Sequence, residues 1–418
     1  VTSPESHRAI DAVWRIESAR LIAGLTRMVR DVGRAEDLAQ DALVAALKAW
    51  PETGIPDNPG AWLMATAKRR AIDELRRNRL HERKHEELAR ESGSGDVDPV
   101  EAMDDDIGDD LLRLIFIACH PVLSPEARVA LTLRLLCGLT TDEIARGFLV
   151  PEATVAQRIV RAKRSLAQAR VPFELPRGAE RGTRLASVLE VIYLVFNEGY
   201  AATAGDDWLR PALCDEALRL GRVLAGLAPD EPEVHGLLAL MEIQASRSAA
   251  RVGAGGEPIL LLEQNRAAWD PLLIRRGLEA LDRAQRLGGG LGPYALQAAI
   301  AACHARARTA EETDWTRIAI LYDALRRVVP SPVVELNRAV AVAMAFGPAQ
   351  GLALVDALRA EPALAAYHLL PSVRGDLLEK LGRVEEARGE FLRAASMTRN
   401  ARERELLLAR AQACGGVP

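Results

Sequence analysis

Cysteine, aromatic residues and long apolar runs are all scarce in this 418-residue chain, and each shortage removes a class of protein. The five cysteines, Cys119, Cys137, Cys214, Cys303 and Cys414, stand singly and form no Cys-x-x-Cys pair. Neither a disulfide framework nor a structural zinc site is indicated. No stretch approaches the roughly 18 to 20 uncharged apolar residues that span a bilayer, and Val1 to Ile10 lack the basic-then-apolar pattern of a secretion signal. The expectation is a soluble protein of a reducing, cytoplasmic compartment. Alternating runs of β-branched residues are missing too, while apolar residues recur at spacings of three and four, so an all-α fold is expected. With 49% apolar and 27% charged residues the chain is not disordered, and its length predicts two or three domains.

The formal net charge of -4 conceals opposed segments. Residues 91–110 carry nine acidic and no basic residues, interleaved with Ser92, Gly93, Ser94, Gly95 and Pro99, which reads as a self-repelling linker. Residues 111–170 carry nine basic and four acidic residues. A second boundary falls near Val171 to Gly182, where Pro172, Pro176, Gly178 and Gly182 punctuate the helical pattern. The expected domains are therefore 5–90, 108–172 and 182–415, with a linker at 91–107.

The middle segment carries the sharpest pattern. Ser124-Pro125 caps and opens a helix that runs to about Cys137, with Gly138 as its stop. Thr140 and Glu143 form a capping box for a short helix through Ile144, Ala145 and Phe148, and Pro151 opens the next. In that last helix Val155, Ile159, Ala162 and Leu166 share a buried stripe. Gln157, Arg161 and Arg164 lie opposite, flanked by Thr154 and Arg158, giving a basic face suited to a DNA major groove. An ordinary solvated face would show the same charges; the helix, three-residue turn and Pro-opened basic helix together are more specific.

Upstream, residues 35–50 form a helix with Leu38, Ala42, Ala45 and Ala49 inward and Asp37, Gln40, Asp41, Val44 and Lys48 outward. Pro51, Gly54, Pro56 and Pro59 define a loop, and Asn58-Pro59 starts a helix over 58–79. Its core side is expected to be Met64, Ala67, Ala71, Ile72 and Leu75. Its other side presents Trp62, Thr66, Arg69, Arg70, Asp73, Arg76 and Arg77. Basic groups neutralise phosphates while an aromatic ring stacks on an unstacked base, as a reader of opened DNA requires. The plainer alternative packs Trp62 on the neighbouring helix and leaves the arginines solvated.

Acidic-edged helix, loop, Trp-and-Arg helix, acidic linker and helix-turn-helix, in that order, resemble the bacterial extracytoplasmic-function (group IV) sigma factors over about residues 5–172. The resemblance rests on 35–50, on 58–79 and on EIARGFLVPEATVAQRIVRAKR at 143–164. It implies that the first domain (region 2) binds core RNA polymerase at the β' clamp helices and melts and reads the minus-10 promoter element. The second (region 4) would meet the β flap and read the minus-35 element. By position, Asp37, Gln40 and Asp41 would face the polymerase; Trp62, Arg69, Arg70, Arg76 and Arg77 would hold the minus-10 strand, with the loop at 51–58 pocketing a flipped base. Thr154, Gln157, Arg158, Arg161 and Arg164 would contact minus-35 DNA. Two departures stand out: Leu149 replaces the usual turn glycine, and Ala156 a commonly basic position.

About 240 residues follow, more than such a factor needs. Phe346-Gly347-Pro348 and Leu381-Gly382-Arg383 each separate two helical stretches, 35 residues apart, close to the tetratricopeptide period of about 34. Tyr367 to Lys380 and Val384 to Thr398 would form one helix pair, with Ala387, Phe391 and Ala394 inward; 259–287 and 293–328 would be two more degenerate units. The extension resembles the sigma subgroup with a C-terminal tetratricopeptide-like regulatory domain, on FNEGYAATAGDDWLRPALCDEALRL at 196–220 and GGEPILLLEQNRAAWD at 255–270. No cofactor and no catalytic activity are expected: Cys119-His120 are mere neighbours, and the glycine clusters at 253–256 and 288–290 lack a strand-turn-helix context. Promoter DNA, core polymerase and a regulatory protein on the repeats are the expected partners. The alternative is a DNA-tethered helical-repeat adaptor that binds a protein or peptide without serving polymerase.

Overall fold

The computed structural model describes residues 4–87, 107–253 and 255–415, so the acidic linker expected at 91–107 lies outside the described residues except for Ile107. The described chain is helical throughout, apart from one pair of two-residue strands and an isolated bridge. It forms two compact units, Val1–Val191 and Ile192–Pro418.

The first unit contains α1 (Pro4–Val29), α2 (Val32–Thr53), α3 (Pro59–Glu87), α4 (Ile107–Ala118), α5 (Pro125–Leu136), α6 (Thr141–Phe148), α7 (Glu152–Gln168) and the start of α8 (Gly178–Tyr200). Helix α1 is the hub and packs on α2, α3, α4 and α5, burying Leu21, Ile22, Ala23 and Leu25. Asp31 caps α2 by accepting from the Arg34 amide at 2.8 Å.

The buried side of α2 is Leu38, Ala39, Ala42, Ala46 and Trp50, so Ala39, Ala46 and Trp50 take the place expected for Ala45 and Ala49, which are half-buried. The expected loop also starts later. Pro51 sits in the final turn of α2, and the chain leaves the helix at Gly54, whose φ of 81° is a conformation that glycine adopts without steric cost. On α3 the enclosed stripe is Leu63, Ala67 and Ala71; Met64 and Ile72 are half-buried, and the Leu75 side chain lies outside the described residues.

A buried carboxylate joins the two motif-bearing segments of this unit. Glu36 of α2 is 3% exposed. Its Oε1 accepts from Arg134 Nε of α5 at 2.7 Å and from Gln40 Nε2 at 2.7 Å, and its Oε2 faces Lys163 Nζ of α7 at 2.5 Å. Arg15 of α1 reaches Glu143 of α6 at 2.6 Å, and Arg27 reaches the buried Asp110 of α4 at 3.3 Å. The start of α8 is held on α4 and α5 in the same way. Arg128 donates to Ser187 Oγ at 2.5 Å and Glu190 Oε2 at 2.9 Å, and Ser187 donates to the Cys119 carbonyl at 2.6 Å. Gly182, expected as a break, lies inside α8.

The second unit continues α8 and adds α9 (Pro211–Leu227), α10 (Pro232–Ala245), α11 (Pro271–Arg286), α12 (Pro293–Arg306), α13 (Trp315–Val328), α14 (Pro332–Phe346), α15 (Pro348–Ala357), α16 (Leu369–Lys380), α17 (Val384–Met397) and α18 (Ala401–Gly415). Six of these ten open on proline at the first turn, where the missing N–H costs nothing. From α9 onward most helices pack on their neighbours in chain order, and α10 packs on both α11 and α12. The pair α16–α17 forms as expected, with Ala387, Phe391 and Ala394 fully enclosed. Gly375 makes this possible, because a Cβ there would meet the Phe391 ring at 2.8 Å. The unit expected at 259–287 is not a helix pair: 259–270 is a loop with one 3-10 turn, and α11 packs on α10 instead.

The ends of this helical series meet. Strand β1 (Ala204–Gly205) pairs in parallel with β2 (Arg399–Asn400). Asn400 is 1% exposed, donates from Nδ2 to the carbonyls of Ala202 and Asp207 at 3.1 and 3.0 Å, and accepts from the Glu403 amide at 3.1 Å.

Candidate nucleic-acid interface

Two helices of the first unit, α3 and α7, present basic faces. Helix α7 is aimed by what precedes it. Ser124 Oγ accepts from the Ala127 amide at 3.3 Å to start α5, and Gly138, at φ 67°, turns the chain. Thr140 and Glu143 close the expected capping box: the Thr140 amide donates to Glu143 Oε2 at 2.8 Å, and the Glu143 amide donates to Thr140 Oγ1 at 3.1 Å. Burial works against the Glu143 carboxylate, but the Thr140 backbone bond and the Arg15 guanidinium outweigh it and hold its pKa below the usual range.

Leu149 ends α6 with φ 49° and ψ 44°, a left-handed conformation that a branched side chain adopts at a cost. Pro151 is the cap residue of α7 and not its first helical residue; its carbonyl accepts from the amides of Thr154 and Val155 at 2.9 and 3.3 Å.

Val155, Ile159, Ala162 and Leu166 are buried as the spacing predicts. Gln157, Arg161 and Arg164 are exposed, and Thr154 and Arg158 half-buried. Sequence reasoning passed over two residues of this helix. Val160 is 59% exposed and sits beside Gln157 and Arg164 at helical spacing, which is the signal that could have found it. Lys163 is turned aside from the outward set to face Glu36. No local pattern marks that pairing.

On α3, Asn58 Oδ1 accepts from the Ala61 amide at 3.0 Å and so starts the helix. Trp62 is half-buried and meets Trp50 of α2 edge-on, with ring centroids 5.3 Å apart and planes at 64°. Arg69, Arg70 and Arg76 are exposed, and the Arg77 side chain lies outside the described residues. Arg70 pairs with Asp41 of α2 at 3.1 Å, so the basic face of α3 and the acidic edge of α2 adjoin. On that edge Asp37 and Asp41 are exposed, as is Val44 at 46%, whereas Gln40 is half-buried through its bond to Glu36.

Among the described residues no group of three His, Cys, Asp or Glu side chains could hold a metal ion. All five cysteines are free and buried, and burial pushes the Cys119 thiol up to about 12. Among the described residues no helix is long and apolar enough to cross a membrane. What the faces can do is present guanidinium groups to phosphates and polar tips to base edges.

Comparisons with known proteins match three segments of the chain. Residues 16–81 match the model of Sigma-70 region 2, residues 113–166 that of Sigma-70 region 4, and residues 184–285 a family of unknown function, DUF6596. Over 384 residues the chain is 45% identical to an uncharacterized protein of Rhizobium meliloti (strain 1021), covering 91% of this chain and 90% of that one. It is 31% identical over 166 residues to the probable ECF RNA polymerase sigma factor SigI of Mycobacterium tuberculosis, covering 40% of this chain and 57% of that protein. It is 28% identical over 159 residues to the ECF RNA polymerase sigma factor SigK of Mycobacterium sp. (strain KMS), covering 36% and 77%. No solved structure matches.

Proposed function

We propose that the chain, which carries segments matching Sigma-70 regions 2 and 4, directs core RNA polymerase to specific promoters under the control of its own C-terminal extension. The observation that carries this reading is the pair of outward basic faces on α3 and α7, each lying within a matched sigma region. In this reading Asp37, Gln40 and Asp41 on α2 meet the β' clamp helices. Trp62, Arg69, Arg70, Arg76 and Arg77 on α3 hold the melted minus-10 strand. Thr154, Gln157, Arg158, Arg161 and Arg164 on α7 read the minus-35 duplex, with Val160 available for a thymine methyl group.

Control by the extension is supported by α8, which begins against α4 and α5 and ends in the second unit. Arg128, Arg184 and Ser187 fix that beginning, with Arg184 donating to the Phe116 carbonyl at 3.1 Å. The polymerase supplies the phosphoryl-transfer chemistry, so the chain needs no cofactor of its own.

The test is reconstitution of the full chain with core polymerase, followed by selection of promoter sequences from a random duplex library. Recovery of a bipartite element and permanganate-reactive thymines at its downstream half is the expected result. Binding of DNA without any association with core polymerase would overturn the reading and leave a DNA-tethered adaptor.

A further inference from the structure

The two segments of the second unit that stand out in sequence, 196–220 and 255–270, come together around three arginines. Arg247 and Arg251 follow α10, and Arg266 opens the short turn before α11. The guanidinium carbon of Arg251 lies 3.6 Å from the Tyr200 ring centroid and 5.6 Å from that of Trp208. Trp269 is flanked by Arg247 at 5.6 Å and Arg266 at 5.0 Å. These are cation–π distances.

The partners of the three arginines are all uncharged. Arg251 donates to the Tyr200 carbonyl, and Arg247 Nη2 to the Tyr200 hydroxyl at 2.5 Å. Arg266 donates to the carbonyls of His304 and Ala307, the second at 3.1 Å, and to Thr313 Oγ1 at 2.9 Å. Among the described residues no carboxylate oxygen comes within 4.0 Å of any of the three. Glu311 and Glu312 act on Arg266 only from farther away.

Buried donors in the same place lack acceptors, namely Arg247 Nε, Arg266 Nε and Trp269 Nε1, and His304 Nδ1 has no hydrogen-bond partner either. Trp269 is 4% exposed and His304 8%. Burial, with Arg247 and Arg266 adding to it, pushes the His304 pKa down to about 3, so this ring adds no charge of its own.

Enclosed positive charge without a counter-charge is costly, and so is each buried donor without an acceptor. Here both deficits have one remedy, a group that brings negative charge and several acceptor oxygens. A carboxylate would offset one of three charges, whereas a phosphate group offers up to two charges and oxygens in the geometry that guanidinium forks match. Arg251 is enclosed, whereas Arg247 and Arg266 keep part of their side chains in solvent while their unpartnered Nε atoms are sealed from it. Loop clamping explains the Nη bonds of Arg266 and leaves the unpartnered Nε and indole donors unexplained.

We propose that the Arg247, Arg251, Arg266 and Trp269 cluster is a binding site for a small phosphate-type oxyanion, taken either as inorganic phosphate or as the phosphate group of a small phosphomonoester. The site is independent of the transcriptional reading, because it lies within the second unit and is tested by binding alone.

The experiment is calorimetric titration and thermal unfolding of the full chain with inorganic phosphate, glycerol 3-phosphate and acetate, against chloride at matched ionic strength. Saturable binding and a saturable rise in unfolding temperature are expected with phosphate and not with acetate. Trp269→Phe keeps the ring and removes the Nε1 donor, and is expected to weaken phosphate binding about tenfold. Arg247→Gln is expected to weaken it further. Tighter binding of glycerol 3-phosphate assigns the site to phosphomonoesters, and equal or weaker binding assigns it to the free ion. Absence of saturable phosphate binding in the unaltered chain, acetate binding as tight as phosphate, or unchanged affinity in both variants would each overturn the proposal.

Discussion

Arginine occupies opposite situations in the two units. On α3 and α7 the guanidinium groups of Arg69, Arg76, Arg161 and Arg164 lie at the surface, where water carries their charge and folding asks nothing of them. Around Trp269 the arginines are turned inward, stacked on rings and bonded to carbonyls. An outward arginine can be replaced with little effect on the fold, while an inward one is part of the fold and tolerates little change. The same residue type therefore predicts different phenotypes, and substitutions can separate them.

The largest effect is expected from Arg251→Ala, which removes the stacking on Tyr200 and the bond to its carbonyl and should cost about 3 kcal/mol of stability, read by chemical denaturation followed at the second unit. A loss below about 1 kcal/mol would mean that the inward arginines are not structural.

Next comes Glu36→Gln. Arg134 and Lys163 then lose their shared carboxylate, and because both keep about a fifth of their side-chain surface exposed, the expected loss is about 2 kcal/mol and falls on the first unit. Arg161→Ala should leave stability within about 0.5 kcal/mol of the parent. It should weaken duplex binding about tenfold and lower the salt slope of that binding by about one. Equal damage to folding and to DNA binding would erase the distinction between the two kinds of arginine.

The smallest change is Leu149→Gly, which relieves the left-handed residue between α6 and α7 and should stabilise the first unit by about 1 kcal/mol in the same denaturation assay.

How much of this was readable in advance follows the distance over which each feature is decided. The buried stripe Val155, Ile159, Ala162, Leu166, the Thr140–Glu143 box and the α16–α17 pair are set by residues a turn or two apart, and spacing revealed them. Glu36 was hidden because its partner Arg134 lies 98 residues away; on α2 alone it reads as one more acidic residue on a solvated edge.

The same holds for the basic faces. Their outward direction could be read from helical period, but the turning of Lys163 toward Glu36 and the docking of Trp62 on Trp50 depend on a neighbouring helix. The degenerate unit expected at 259–287 takes residues 259–270 into a helix pair. The isolated bridge between Val252 and Pro258 and the bond from the Ile259 amide to the Arg251 carbonyl hold that stretch as a loop instead. The segments 196–220 and 255–270 each stand out singly in the sequence, and nothing in either announces that they meet.

The junction at Asn400 bears on how the second unit can come apart. A linear stack of helical repeats frays from its ends, each terminal repeat being held by one neighbour alone. Asn400 instead fastens Ala202 and Asp207, near the start of this unit, to the beginning of α18 near its end. Deleting α18 is thus expected to loosen the 201–210 loop some two hundred residues earlier in the chain, and chemical denaturation of this unit is expected to show one transition rather than progressive unzipping.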